Sequence, residues 1–199
     1  MKKFILALSM IGFMFNANAQ DSEGASVATV GLGYSFFNNI IKNSLETYSD
    51  VEVKSVPTIA LTYDFALTDN FSIGVAGAFQ NVSGEFTNQY IDQNFDIQTE
   101  IATTKVSRLN IALRPLFHYG DGDRLDLYSG IRVGYLIRNV ETETNDELLN
   151  VLGDLDGNRF ALGLVPFGMR YFFTDNLGVN MDLQIGTPYV VSGGIAFTF

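Results

Sequence analysis

The sequence contains no cysteine, so no disulfide can staple the fold, and an exported N-terminus cannot be lipidated as a lipoprotein. Beyond residue 19 it also lacks any apolar run of the roughly 20 residues that a membrane-spanning helix requires. The best stretch, Phe160 to Met169, is ten residues long and is interrupted by Gly163, Pro166 and Gly168. Lysine is scarce, with only Lys42, Lys54 and Lys105 after Lys2 and Lys3, and histidine occurs once, as His118. No Pro/Ser-rich linker divides the chain, so residues 20–199 are expected to form one domain whose stability comes from sheet.

The N-terminus has the composition of an export signal. Lys2 and Lys3 precede an apolar run from Phe4 to Phe15, and Ala17-Asn18-Ala19 supplies the small residues that signal peptidase accepts. Residues 1–19 are therefore expected to be a signal peptide cleaved before Gln20. With no later helical segment to stop it, the chain would pass through the inner membrane without lodging there.

What the rest contains is alternation with a period of two, the mark of strands with one apolar face. In 71–80, Phe71, Ile73, Val75 and Phe79 interleave with Ser72, Gly74, Ala76, Ala78 and Gln80. The pattern recurs at 27–36, 56–65, 109–119, 125–137, 177–185 and 189–199. An eighth segment, 159–173, changes parity between Phe160-Leu162-Leu164 and Phe167-Met169-Tyr171, which predicts a bulge near Pro166. Short turns at Thr68-Asp69-Asn70, Gly120 to Asp123 and Thr174-Asp175-Asn176 alternate with long loops at about 38–53, 83–103 and 139–157. Gly186-Thr187-Pro188 is a short connection on the long-loop side. Eight antiparallel strands joined in this way predict an all-β, up-and-down transmembrane β-barrel with both termini in the periplasm.

Alternation alone does not say which face meets lipid. The polar parity is mostly Gly, Ala, Ser, Thr and Asn, which suits a cramped interior better than a solvated exterior. Aromatic residues sit at strand ends, as in Tyr34 with Phe36, Tyr63 with Phe65, Tyr119, and Tyr171 with Phe173, where interfacial girdles belong. The apolar parity is therefore expected to face outward.

The closing run Gly193-Gly194-Ile195-Ala196-Phe197-Thr198-Phe199 and the segment Arg170 to Leu177 carry a resemblance to the small outer-membrane β-barrel families of Gram-negative bacteria, including the OmpA-like transmembrane domain and the OmpX and OmpW groups. The resemblance implies a location in the cell outer membrane. It also implies a C-terminal signal, Tyr189, Ile195, Phe197 and Phe199, read by the barrel-assembly machinery. No downstream peptidoglycan-binding domain is expected, so the wall-anchoring role of full-length OmpA-like proteins is not carried over as an expectation.

With the polar parity inside, Arg108, Arg114, Arg132, Arg138 and Arg170 share the interior with Asp64, Asp126 and Asp182. Buried charges without partners are costly, so a laddered ion-pair network that closes or nearly closes the lumen is expected. Arg114, Arg132 and Asp182 fall near mid-height, and Asp64, His118, Asp126 and Arg170 near the periplasmic end. His118 should face Asp126 across the turn at Gly122. Lipid-modifying chemistry must face the outer leaflet, so this His is read as structural and no enzymatic activity is expected.

Without Lys2 and Lys3 the chain carries ten basic and twenty-two acidic residues, a net charge of −12. The three long loops hold thirteen acids and Lys42, so the excess charge is displayed outside, where acidic loops could join the ionic layer of lipopolysaccharide. Asp154-Leu155-Asp156-Gly157-Asn158 lacks the spacing and closing Glu of a calcium loop, so neither metal nor cofactor is expected. Leu148, Leu149, Leu152 and Leu155 have helical spacing, which predicts a short amphipathic helix in the third loop, and Phe95, Ile97 and Ile101 keep the parity of the strand that follows them, which predicts that this strand extends beyond the membrane. The favoured reading is a monomeric structural or surface-interaction barrel whose partners are outer-membrane lipid and lipopolysaccharide, not nucleic acid. A narrow porin-like channel is the alternative.

Overall fold

The computed structural model describes residues 23–37, 39–40, 43, 49–91, 96–119, 124–144 and 157–199. Their strands are β1 (Ser26–Tyr34), β2 (Ser49–Ser55), β3 (Thr58–Thr68), β4 (Phe71–Ile91), β5 (Ile97–His118), β6 (Leu125–Glu143), β7 (Gly157–Phe172), β8 (Leu177–Gly186) and β9 (Val191–Thr198). All pairings are antiparallel, and the β4–β5 pairing closes the order β2-β4-β3-β1-β9-β8-β7-β6-β5 into a cylinder. β2 and β3 run along the same edge of β4, β3 against its Phe71–Phe79 portion and β2 against Val82 to Thr87. They form one stave: Val56 N–H still donates to Asn81 O at 3.1 Å, and Pro57 then interrupts the ladder because it has no N–H to give. The barrel thus has eight staves.

Side chains alternate across the wall as the sequence predicts. Leu61, Ile73, Val75, Leu113, Ile131, Leu162, Leu183 and Ile195 are exposed on the outside, while Arg114, Arg132, Arg170 and Asp182 are buried within. The predicted bulge is present: the β7–β8 register shifts between Leu164 and Phe167, and Val165 turns inward at 1% exposure. T-shaped ring pairs mark both ends of the wall, Tyr34 with Phe36 and Tyr135 with Phe160 at one, Tyr171 with Phe173 at the other.

Two sequence expectations need correction. The second long loop, 83–103, is instead mostly hairpin, with the strand extension that the parity of Ile97 and Ile101 predicts: β4 and β5 stay paired from Phe71↔Phe117 to Ile91↔Ile97, and β6 likewise runs on through Glu143. On the β4 side its alternation was hidden because the wall largely reverses its sidedness along the way, whereas Ile97 and Ile101 of β5 stay outward. Up to the row Phe79↔Leu109↔Ile137 the outward residues are apolar; beyond it they are mostly polar, with Asn81, Ser83 and Glu85, Ser107 and Lys105, and Asn139, Glu141 and Glu143, while Ile101 and Ile97 of β5 remain apolar and exposed. Over the same stretch the inward residues become apolar, with Val82, Phe86, Ala102, Val106 and Val140 buried and Val51 and Val53 packed against Phe86. Lipid surrounds the lower wall and water the upper one, so the driving force for burial changes sign at that row. The outward pairs Lys105–Glu143 at 2.8 Å and Lys54–Glu85 at 3.6 Å lie above it.

The second correction concerns Tyr189, grouped by parity with the outward Ile195 and Phe197. Its ring is 1% exposed and points into the lumen. Residue 189 precedes β9, in the turn after Gly186, whose φ of +110° places it where a side chain is strained and where a Cβ would meet Leu162 O. Parity counted back from the strand fails once the chain leaves extended geometry. The signal peptide, the Gly120 to Asp123 turn, the spacing of Leu148 to Leu155, Phe95, Lys42 and most of the Asp154 to Asn158 run lie outside the described residues.

Candidate functional site

The lower and middle lumen is filled by one connected polar chain. At the end bearing the short turns, His118 Nδ1 lies 2.6 Å from Asp126 Oδ1 and its Nε2 lies 2.8 Å from Ser72 Oγ. Arg170 Nη1 donates to the other Asp126 oxygen at 3.1 Å, and its Nη2 donates to Asp64. Asp64 also faces Arg114 Nε at 3.4 Å, an ion contact, and Arg114 Nη1 donates to Asp182 Oδ2 at 3.4 Å. Tyr128 O–H donates to Asp182 Oδ1 at 2.5 Å. Above them Arg132 donates to Tyr189 Oη at 2.8 Å and to Asn110 Oδ1 at 3.2 Å, and the Tyr189 hydroxyl reaches Asp182 at 3.5 Å. The Tyr128 ring lies beneath both Arg170 and Arg114, with guanidinium carbons 4.5 and 5.5 Å from its centroid.

The barrel scaffold makes this possible by pairing charged residues with glycines. Asp64 is opposite Gly74, where a Cβ would overlap the carboxylate, and Tyr128 is opposite Gly168, where a Cβ would enter the ring. Three arginines, Arg114, Arg132 and Arg170, meet three aspartates, Asp64, Asp126 and Asp182, all of them buried. Such charges remain ionised in a dry interior only when each has partners, and here Asp126 and Asp182 each have at least two hydrogen-bond partners, while Asp64 accepts from Arg170 and lies in ion contact with Arg114.

Not every residue singled out in the sequence joins this chain. Arg108 and Arg138 face each other across β5 and β6 at the outer mouth. Arg108 donates to Gln80 Oε1 at 3.3 Å and stacks on the Phe37 ring at 4.1 Å; no ion pair involves either arginine among the described residues. Tyr128, Asn110 and Ser72 were given no role by sequence reasoning, although each shares the inward parity of its charged neighbours. Parity was the available signal. Tyr189 carried no such signal.

The order Ser72–His118–Asp126 is also that of a nucleophile, base and acid. A nucleophile must meet its substrate, and Ser72 is 3% exposed beside a cavity of about 20 Å³, room for roughly one water. The second Asp126 oxygen is occupied by Arg170, so the group is tied into the charge chain.

A closed antiparallel barrel with an apolar belt outside and charges inside is the architecture of an outer-membrane protein. Residues 18–186 match the outer membrane protein beta-barrel domain family, and the chain belongs to that family and to the cell outer membrane. Among solved structures it is similar to the outer membrane protein OprG from Pseudomonas aeruginosa, at 11% identity over 89% of this chain and 97% of that one, with a TM-score of 0.54. The N-terminal β-barrel domain of Pseudomonas aeruginosa OprF is 13% identical over 89% and 98%, with a TM-score of 0.46. E. coli outer membrane protein W is 14% identical over 90% and 100%, also at 0.46. At such identities the likeness concerns the fold. No curated protein matches in sequence.

Proposed function

We propose that this chain is a structural or surface-interaction barrel of the outer membrane, with its lumen closed by the Arg/Asp network and acidic loops displayed outside. The observation that carries the reading is Arg114, 0% exposed and held between Asp64 on β3 and Asp182 on β8. A guanidinium bridging two walls occupies the axis of a lumen that, in an eight-stave barrel, is only wide enough for side chains. Opening a path there would require separating paired charges in a low-dielectric interior. The partners in this reading are outer-membrane lipid and lipopolysaccharide, with the barrel a monomer. Ile195, Phe197 and Phe199 on the outer face of the last stave would serve the assembly machinery.

Planar-bilayer recording of the refolded protein tests closure. The expected result is no steady conductance for the unaltered chain. Reproducible openings whose ion selectivity changes in Arg114→Gln would replace this reading with that of a narrow channel.

A further inference from the structure

The charge chain of the lower lumen is balanced, three arginines against three aspartates. At the outer mouth three arginines gather with no salt bridge among the described residues. Arg108 and Arg138 are directly opposite in the β5–β6 ladder, and Arg159 is opposite Leu136, one inward step from Arg138. Antiparallel partners share a face, so Arg159 stands on the lumenal side with the buried Leu136, and its sequence neighbour Phe160 points outward. The three arginines lie on adjacent staves at the level where the outer apolar belt ends. Arg138 is directly across from Arg108 and Arg159 stands on the next stave, so like charge is concentrated at one level of the wall.

Like charges directly opposite in a sheet are destabilising. Elsewhere in this barrel every buried guanidinium has a carboxylate or a tyrosine hydroxyl for company. Here a 7%-exposed Arg108 has only a glutamine oxygen and an aromatic face, and no salt bridge reaches any of the three among the described residues. The contrast is sharper because the chain is strongly acidic overall. Packing over the Phe37 ring, 4.1 Å away, also restrains the Arg108 guanidinium, whose fork of N–H donors suits an anion.

We propose that Arg108, Arg138 and Arg159 form an anion site at the outer mouth of the barrel that takes a phosphate group. Three guanidinium groups match a phosphate dianion with three acceptor oxygens better than a single carboxylate. Because the three arginines face the lumen and not the lipid, the phosphate arrives free through the outer mouth, as inorganic phosphate or a small phosphomonoester. The site lies above the charge chain and does not depend on whether the lumen conducts.

The test uses the full chain refolded in uncharged detergent micelles, titrated with inorganic phosphate by calorimetry and, in a second arm, with purified lipid A. The expected result is saturable phosphate binding that weakens at least tenfold in Arg138→Gln/Arg159→Gln and is unchanged in the control Lys54→Gln/Lys105→Gln. Both altered arginines lie outside the buried network, so the double variant keeps the barrel, checked by its heat-modifiable gel mobility. Phosphate binding that lipid A does not compete for is expected, because lipid A lies against the outer wall; lipid A binding that inorganic phosphate displaces overturns the lumenal placement of the site. Absence of saturable phosphate binding overturns the proposal, as does binding that the arginine variant retains or the lysine variant loses.

Discussion

Tyr128 on β6 and Asp182 on β8 are joined by a 2.5 Å hydrogen bond that passes over the intervening strand β7. The bond is available because β7 carries Gly168 at the crossing point, so nothing stands between ring and strand. Tyr128→Phe removes one donor from a buried carboxylate, and a loss of about 1–3 kcal/mol is expected. Gly168→Ala should destabilise by a different route, by pushing the ring off its place beneath Arg170. Urea unfolding of each variant in lipid vesicles measures both effects.

Asp64 is the junction of the network, receiving Arg170 and facing Arg114. Asp64→Ala leaves two buried guanidinium groups short of a counter-charge and should cost about 3–5 kcal/mol. Asp64→Asn keeps the shape and loses the charge, so comparing the two separates packing from electrostatics. If the network seals the lumen, Asp64→Ala should also produce intermittent current in a bilayer where the unaltered chain gives none.

The reversal of sidedness along β4 yields a test on one strand. Val75 and Ser83 both face outward, Val75 within the apolar belt and Ser83 above it. Val75→Lys should destabilise the barrel in vesicles by roughly 2–4 kcal/mol if it sits near the bilayer midplane, whereas Ser83→Lys should be close to neutral. Equal effects at the two positions would contradict the placement of the membrane boundary at the Phe79–Leu109–Ile137 row.

Above that row the Lys105–Glu143 pair titrates in water. A hydrogen bond and the charge of Lys105 hold the Glu143 carboxyl below the usual glutamate value, and Glu143 in turn raises Lys105. A lowered folded-state value means the pair's small contribution is present above the ordinary glutamate range and lost as pH falls through the lowered value. Carboxyl NMR titration should show Glu143 returning to its ordinary value in Lys105→Gln. Raised salt should move it in the same direction, because both groups are exposed.

Much of this molecule is written in local pattern. Period-two alternation gave the staves, the phase change at Phe160 to Phe167 gave the bulge at Pro166, and the unequal connections gave the handedness of in and out. These features depend on neighbours in sequence, because a strand's faces follow from its pleat alone. The β4 arm of the hairpin with β5 was harder to see, since its apolar side switches face where lipid gives way to water, and no local rule marks that height.

The sequence by itself determined that arginines and aspartates would share an interior, since parity assigned them to one face and burial demanded compensation. Which charge meets which was decided only by the closed barrel. Residues 106 positions apart, Asp64 and Arg170, are brought together by curvature and stagger across the lumen, and an inward turn after Gly186 delivers Tyr189 to Arg132. Pairing across a cylinder depends on its diameter and shear, which are properties of all the staves together. For the same reason only the folded wall could reveal that Arg108, Arg138 and Arg159 stand at one level on adjacent staves with no salt bridge among the described residues.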